Sequence, residues 1–281
     1  MPRSIVLFTY LSLLCVSGVS AWPKFSRDLS LMLNDGDPSA FTWLKNFAAL
    51  GDSYASGINA GTKLGGNGDS SCYRYNGAYP YLLQTMALGV PSDFNFAACR
   101  GADTGAVSAQ IDKLADNSLD LVTISNGGND LGLVKLLEDC IYWTTGQAHC
   151  DETIKATQAT IDRDLMSKTD DMLQKLGPKM RQGNVVIFTL YAQFFNADTD
   201  ECSSQSWDWV KEAGGLKLTK ELRKSLNDLV LAANTKLKAA IASQTSSSRP
   251  SRLNIATVDW DGYVGDNKGR FCEEGRMSFV N

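Results

Sequence analysis

The sequence predicts an α/β fold: a parallel sheet with helices packed on both of its faces. Three observations lead there. Short runs rich in β-branched and aromatic residues recur along the chain, as buried strands require. Between them lie longer stretches in which apolar residues return at helical spacing. Strands that alternate with helices are joined by crossovers, and crossovers of this kind build a parallel sheet. The chain has 281 residues, of which 43% are hydrophobic. That is enough for one domain of ordinary size with a sizeable core.

The elements follow in chain order. Arg3 gives a short positive segment, Ile5 to Val16 an apolar one, and Val19-Ser20-Ala21 a small-residue cleavage site. The apolar stretch is shorter than the ~20 residues of a membrane-spanning helix. Residues 1–21 therefore read as a secretory signal peptide and 22–281 as the exported domain. Trp22 to Phe41 is polar and mixed, a surface lead-in. Strands are predicted over Asn46–Leu50, Asp93–Cys99, Leu119–Ser125, Asn184–Ala192 and Leu253–Trp260. A helix over Thr104–Ala115 aligns Val107, Ile111 and Leu114. A second, over Thr153–Leu176, aligns Ile154, Ile161, Leu165, Met172 and Leu173, and Gly177-Pro178 ends it. A third, over Thr219–Ala242, aligns Leu222, Leu226, Leu229, Leu237 and Ile241. Gly61–Ser70 is a Gly-rich loop and Gln244–Arg252 a Ser-rich connector. No internal repeat is found.

The formal net charge is −4 and no polybasic run occurs, so neither a nucleic acid nor an anionic membrane is expected as a partner. No later segment is long and apolar enough to anchor the chain in a membrane. Signal removal takes away Cys15 and leaves Cys72, Cys99, Cys140, Cys150, Cys202 and Cys272. An even number in an exported chain implies disulfides. Six cysteines allow ~15 pairings; bridging neighbours in sequence is the simplest, with loop closure worth about 3–4.5 kcal/mol for each bridge. There is no Cys-x-x-Cys and no histidine at metal-ligand spacing, so neither a metal nor another cofactor is expected.

Three motifs stand directly after predicted strands, where open parallel sheets bind ligands. The first is Gly51-Asp52-Ser53-Tyr54-Ala55-Ser56-Gly57, whose glycines permit a sharp turn and a close backbone approach. The second is Cys99-Arg100-Gly101-Ala102-Asp103-Thr104. Its Gly101 offers an unhindered N–H just before a helix that Asp103 or Thr104 caps. The third is Ser125-Asn126-Gly127-Gly128-Asn129-Asp130, in which Asn129 brings a side-chain NH₂. Singly, each is ordinary turn chemistry.

In this order and register the three motifs resemble the SGNH (GDSL-type) hydrolase family, whose blocks are a Gly-Asp-Ser nucleophile, a glycine, a Gly-x-Asn-Asp and a late Asp-x-x-His. Cys72-Tyr73-Arg74 with Tyr79-Pro80, Gln193-Phe194-Phe195-Asn196 and Arg270-Phe271-Cys272-Glu273 resemble a secreted branch of it. The resemblance implies a flavodoxin-like three-layer α/β/α sandwich with a five-stranded parallel sheet. It implies Ser53 as nucleophile, with an oxyanion hole made by the N–H groups of Ser53 and Gly101 and the Asn129 amide. The disulfides it implies are Cys72–Cys99, Cys140–Cys150 and Cys202–Cys272. Asp52 and Asp130 would orient their loops. The substrate would be a small-molecule, lipid or carbohydrate ester, and the protein a monomer.

The fourth block has no match. Three residues after Asp259 and Asp261 stand Gly262 and Val264, and the single histidine is His149, beside Cys150. The family's Asp-x-x-His and its closing helix lie beyond the position matching Asn281, so the domain is expected to be C-terminally incomplete, with the last helix missing. His149 remains as a candidate base, the weaker one, since a lone loop histidine is more often a surface residue. Two readings follow: an ester hydrolase, poorly active as written, and a non-catalytic secreted binding protein on the same fold. A plain structural domain does not explain three motifs in register.

Overall fold

The computed structural model describes residues 41–65, 71–87, 91, 93–208, 215–244 and 253–275. The expected signal peptide and the lead-in up to residue 40 lie outside these, as do residues 66–70 of the Gly-rich loop and 245–252 of the Ser-rich connector. The strands are β1 (Asn46–Gly51), β2 (Asp93–Phe96), β3 (Leu119–Ser125), β4 (Met180–Thr189) and β5 (Ile255–Val258). They pair in parallel in the order β2-β1-β3-β4-β5, the flavodoxin order. The helices are α1 (Ser53–Ser56), α2 (Tyr79–Leu82), α3 (Thr104–Asp112), α4 (Leu133–Leu137), α5 (Gln147–Thr160), α6 (Met166–Leu176), α7 (Lys220–Gln244) and α8 (Asp261–Asp266).

The chain folds into two compact units. The first draws on residues 1–126, 169–190 and 241–259 and holds the whole sheet. Alternation along its strands sorts the side chains. Phe47, Ala49, Leu121, Val185 and Ile187 join Phe41, Leu44, Leu83 and Val258 in one cluster, with Phe94 and Phe96 packed against it. The residues between them, Ala48, Leu50, Val122, Ile124, Val186 and Phe188, are fully buried too, as strands covered on both faces require. The Cys72–Cys99 disulfide lies in this unit. The second unit draws on residues 127–168, 191–240 and 260–281. Its core includes Ile161, Leu165, Leu222, Leu226, Leu229 and Leu237, and it holds Cys140–Cys150 and Cys202–Cys272.

Boundaries depart from the sequence reading where hydrogen bonds overrule hydrophobicity. The strand expected to reach Cys99 stops at Phe96, because the Ala97 and Ala98 N–H groups both turn to the Ala49 carbonyl at 2.9 Å. β4 starts at Met180, paired with Leu119 across a bulge, and Gly183 at φ +78° absorbs the irregularity. The helix expected from Thr153 starts at Gln147, after Gly146 at φ +123°. It runs on through a π-helical turn, Ile161–Leu165, into α6. Its polar first turn, Gln147-Ala148-His149, gave periodicity nothing to detect. His149 therefore sits on a helix rather than on the loop expected for it.

Candidate active site

Ser53 opens α1 directly after β1, and the turn that carries it is held from several sides. Gly51 has φ +127°, and a Cβ there would overlap the Ser125 carbonyl oxygen, so only glycine serves. Asp52 caps the helix: its Oδ1 accepts from the Tyr54 N–H at 2.9 Å and from the Ser125 hydroxyl at 2.8 Å. The Asp52 N–H donates to the Ser125 carbonyl at 3.1 Å. Gln110 of α3 donates from Nε2 to the Gly51 carbonyl at 3.0 Å and accepts from the Gly51 N–H at 2.8 Å. At the far end Gly57, at φ +68°, closes the helix with its N–H on the Ser53 carbonyl. Asp52 and Gln110 are buried, while Ser53 is half-buried. A rigid polar cradle thus carries one accessible hydroxyl.

No side chain of the cradle is a ready proton acceptor. Burial pushes the Tyr54 phenol up to about 12, and the Asp52 charge adds to that. Burial does the same to Tyr79, also to about 12, although the Thr189, Thr123 and Ser125 hydroxyls around it oppose the shift. Both phenols keep their protons through neutral pH. The Asp52 carboxylate orients the turn.

Gly101 lies in the same unit. It has φ +78° and is exposed. Among the described residues nothing accepts a hydrogen bond from its N–H. The turn is tied to the end of β1 by the Cys99 N–H on the Gly51 carbonyl at 2.9 Å and to the loop at Cys72 by the Cys72–Cys99 disulfide. Asp103 is the cap of α3, accepting from the Ala106 N–H at 2.8 Å. Thr104 accepts instead from the Asn126 side chain at 2.9 Å. Because β1 lies between β2 and β3 in the sheet, the three motifs follow the carboxyl ends of three adjacent strands.

Asn129 belongs to the second unit, where it opens a 3₁₀ turn, Asn129–Leu131. The Gly128 N–H before it donates to the Tyr191 hydroxyl at 3.1 Å. Asp130 points into protein, with a side chain 3% exposed, and pairs with Lys168 at 3.2 Å. An apolar cavity in this unit is walled by Gly128, Leu131, Leu136, Tyr191, Leu229 and Ala233 among others.

His149 also lies in the second unit. Its Nε2 is 3.3 Å from Asp139 and its Nδ1 3.9 Å from Glu152. Asp139 is buried, which works against its charge. Hydrogen bonds from Lys135 and Thr153 and the Lys135 and His149 charges outweigh this and hold its carboxyl below the usual range. Asp261 is engaged as well: Gln193 donates to it from both its N–H and its side chain at 2.8 and 2.7 Å, and Arg270 at 2.9 Å. Among the described residues no group of three His, Cys, Asp or Glu side chains is arranged to hold a metal ion, and no helix is long and apolar enough to cross a membrane.

The sequence reading did not single out Gln110, Tyr191 or Asn234, and it left the Ser125 side chain without a role. Their partners lie 59, 63, 43 and 73 residues away, and no local pattern announces such contacts.

The model of the GDSL-like lipase/acylhydrolase family matches residues 49–212, a span that contains all three motifs. "Lipase 1" of Streptomyces coelicolor is 36% identical over 154 residues, 54% of each chain. A lipase of Streptomyces rimosus is 33% identical over 150 residues, 53% of each. The chain thus spans about half the length of these relatives. Among solved structures, phospholipase A1 from Streptomyces albidoflavus superposes with a TM-score of 0.65 at 23% identity, over 85% of this chain and 90% of that one. The extracellular lipase from Streptomyces rimosus gives 0.60 at 24% identity, over 80% and 99%. At that identity the superpositions speak to the fold alone.

Proposed function

The chain belongs to the GDSL-like lipase/acylhydrolase family, and from that premise we propose that it is a secreted serine ester hydrolase acting through Ser53. The observation that supports this most is the β1–α1 turn. A glycine that nothing else can replace, a capping aspartate and a buried glutamine hold a single accessible serine at a strand end. In the proposed reaction the Ser53 oxygen attacks the ester carbonyl carbon and gives up its proton to a base. The carbonyl oxygen takes the negative charge, facing the N–H groups of Ser53 and Gly101 and the Asn129 amide. Collapse expels the alcohol, which takes the proton back from the base, and leaves an acyl-serine, which water hydrolyses to the acid and free serine. A serine hydroxyl is a poor nucleophile until a base takes its proton, and loss of one oxyanion donor costs on the order of 3 kcal/mol.

The base is the member of the set without a match in residues 1–281. No Asp-x-x-His occurs in the sequence, and both nitrogens of His149 face carboxylates of its own unit. Residues 1–281 alone are therefore proposed to be feeble, retaining only the ~10³–10⁴ over water that oxyanion donors and binding supply. Export rests on the signal-like residues 1–21 and the three disulfides. A second reading is a non-catalytic secreted binding protein on the same fold.

The experiment compares residues 1–281, their His149→Ala variant and a form extended with an Asp-x-x-His segment, on short acyl esters. The first two are expected to be equally slow and the third faster by several powers of ten. Ser53→Ala should abolish turnover in all. Asn129→Ala should lower kcat far more than it raises KM, since its amide acts mainly on the transition state. Full activity in Ser53→Ala would end this reading. Strong activity in the first form, lost on His149→Ala, would make His149 the base. An extended form that binds esters but never acylates would favour the binding protein.

A further inference from the structure

We infer that Tyr191 and Asn234 are positioning residues for Asn129, a role that rests on the reading of Asn129 as an oxyanion donor. Asn129 follows Gly127-Gly128, and consecutive glycines leave a backbone unusually free. An oxyanion donor acts through preorganisation: it must already stand where charge develops. That freedom therefore has to be removed by something else.

In the second unit it is removed on every side of Gly128. The Gly128 N–H donates to the Tyr191 hydroxyl at 3.1 Å. Its carbonyl accepts from the Leu131 and Leu133 N–H groups at 3.3 and 3.4 Å. A Cβ on Gly128 would meet the Tyr191 ring and hydroxyl at 3.5 Å, so the ring backs the glycine whose N–H the hydroxyl accepts. Both polar groups of the peptide residue before Asn129 are thus fixed.

Tyr191 is itself clamped. The Asn234 side chain accepts from the Tyr191 N–H at 3.0 Å and donates to the Tyr191 carbonyl at 2.7 Å. One amide satisfies both polar groups of one residue, as a neighbouring strand would. Tyr191 and Asn234 are 6% and 5% exposed, so these backbone groups have no water to turn to. The device recurs on the same helix: Asn227 holds Phe195 in the same way, at 3.2 and 2.7 Å. Positions 227 and 234 are about two helical turns apart, so α7 grips the 191–195 segment at both ends. At the Tyr191 end the hydroxyl supplies the hydrogen bond to the Asn129 turn, while the ring packs against Gly128. Phenylalanine would fill the same space without that hydrogen bond.

The test is a double-mutant cycle on acetylation of Ser53 by p-nitrophenyl acetate, whose leaving group needs no proton, followed by intact mass at mildly alkaline pH. Tyr191→Phe is expected to slow acylation about 10-fold with KM unchanged, a partial loss of one donor. In an Asn129→Ala background the same substitution should add nothing, because its route is gone. Asn234→Ala should slow acylation, whereas Asn227→Ala should lower the thermal midpoint without slowing it. Equal slowing by Tyr191→Phe in both backgrounds would overturn the role. So would an unslowed Tyr191→Phe where Asn129→Ala is slow. If Asn129→Ala leaves the rate untouched while Ser53→Ala is dead, the oxyanion assignment of Asn129 falls and this role with it. If Ser53→Ala acetylates normally, the hydrolase reading itself fails.

Discussion

Replacing Gln110 by leucine asks whether the turn bearing Ser53 is held by a side chain 59 residues away. Gln110 is 8% exposed. It accepts from the Gly51 N–H at 2.8 Å and donates to the Gly51 carbonyl at 3.0 Å. Leucine fits the volume but makes neither bond. The carbonyl keeps the Cys99 N–H at 2.9 Å, so its loss is small. Among the described residues the Gly51 N–H has no other acceptor, and an unpaired buried donor costs about 1–3 kcal/mol. A net destabilisation of about 2 kcal/mol is expected. In urea that moves the midpoint down by about 1 M with an unchanged slope, since slopes run at about 1–3 kcal/mol/M. Gln110→Glu supplies a control. Its carboxylate keeps the acceptor but sets a second oxygen against the Gly51 carbonyl, so at neutral pH it should be no better than leucine. On acidification its protonated form can donate again, and it should recover toward wild type. A Gln110→Leu midpoint within ~0.2 M of wild type, of the size seen for ordinary surface changes, would refute the claim that this side chain holds the turn bearing Ser53.

Two further predictions concern the second unit. Arg223 is fully buried and donates to the Asn196 and Thr199 carbonyls and the Ser203 hydroxyl. Arg223→Met should cost at least about 1–3 kcal/mol through the stranded carbonyls and open the 196–203 segment to proteases, and unchanged limited proteolysis would count against it. The Asp139 carboxyl is held below its usual range, so its interactions add stability above the unfolded carboxyl value of ~3.9 and lose it as pH falls through the folded value. Asp139→Asn should therefore lower the denaturation midpoint at neutral pH, with the gap to wild type closing in acid. A gap independent of pH would show that charge at Asp139 contributes nothing.

The sequence by itself determined the fold class and the three motifs. Period and composition are local properties, and burial enforces them: Leu119, Leu121, Val122 and Ile124 are apolar in a strand buried along its whole length, and Val107 and Ile111 share a buried helix face. It also carried Gly-Asp-Ser and Gly-x-Asn-Asp, the blocks by which it resembles the GDSL-like family. The disulfides were different: the residues alone left every pairing open, family resemblance supplied one set, and the structure carries that set. Only the tertiary structure decided what holds the candidate site. Gln110 on Gly51, Ser125 on Asp52, and Tyr191 and Asn234 behind Asn129 are polar side chains meeting backbone or carboxylate groups dozens of residues away. A buried hydrogen bond depends on where two groups come to lie once water has been excluded, and that is a property of the packed chain. A glutamine on a helix face or an asparagine in a helix interior carries no mark of its partner until the fold brings the two together.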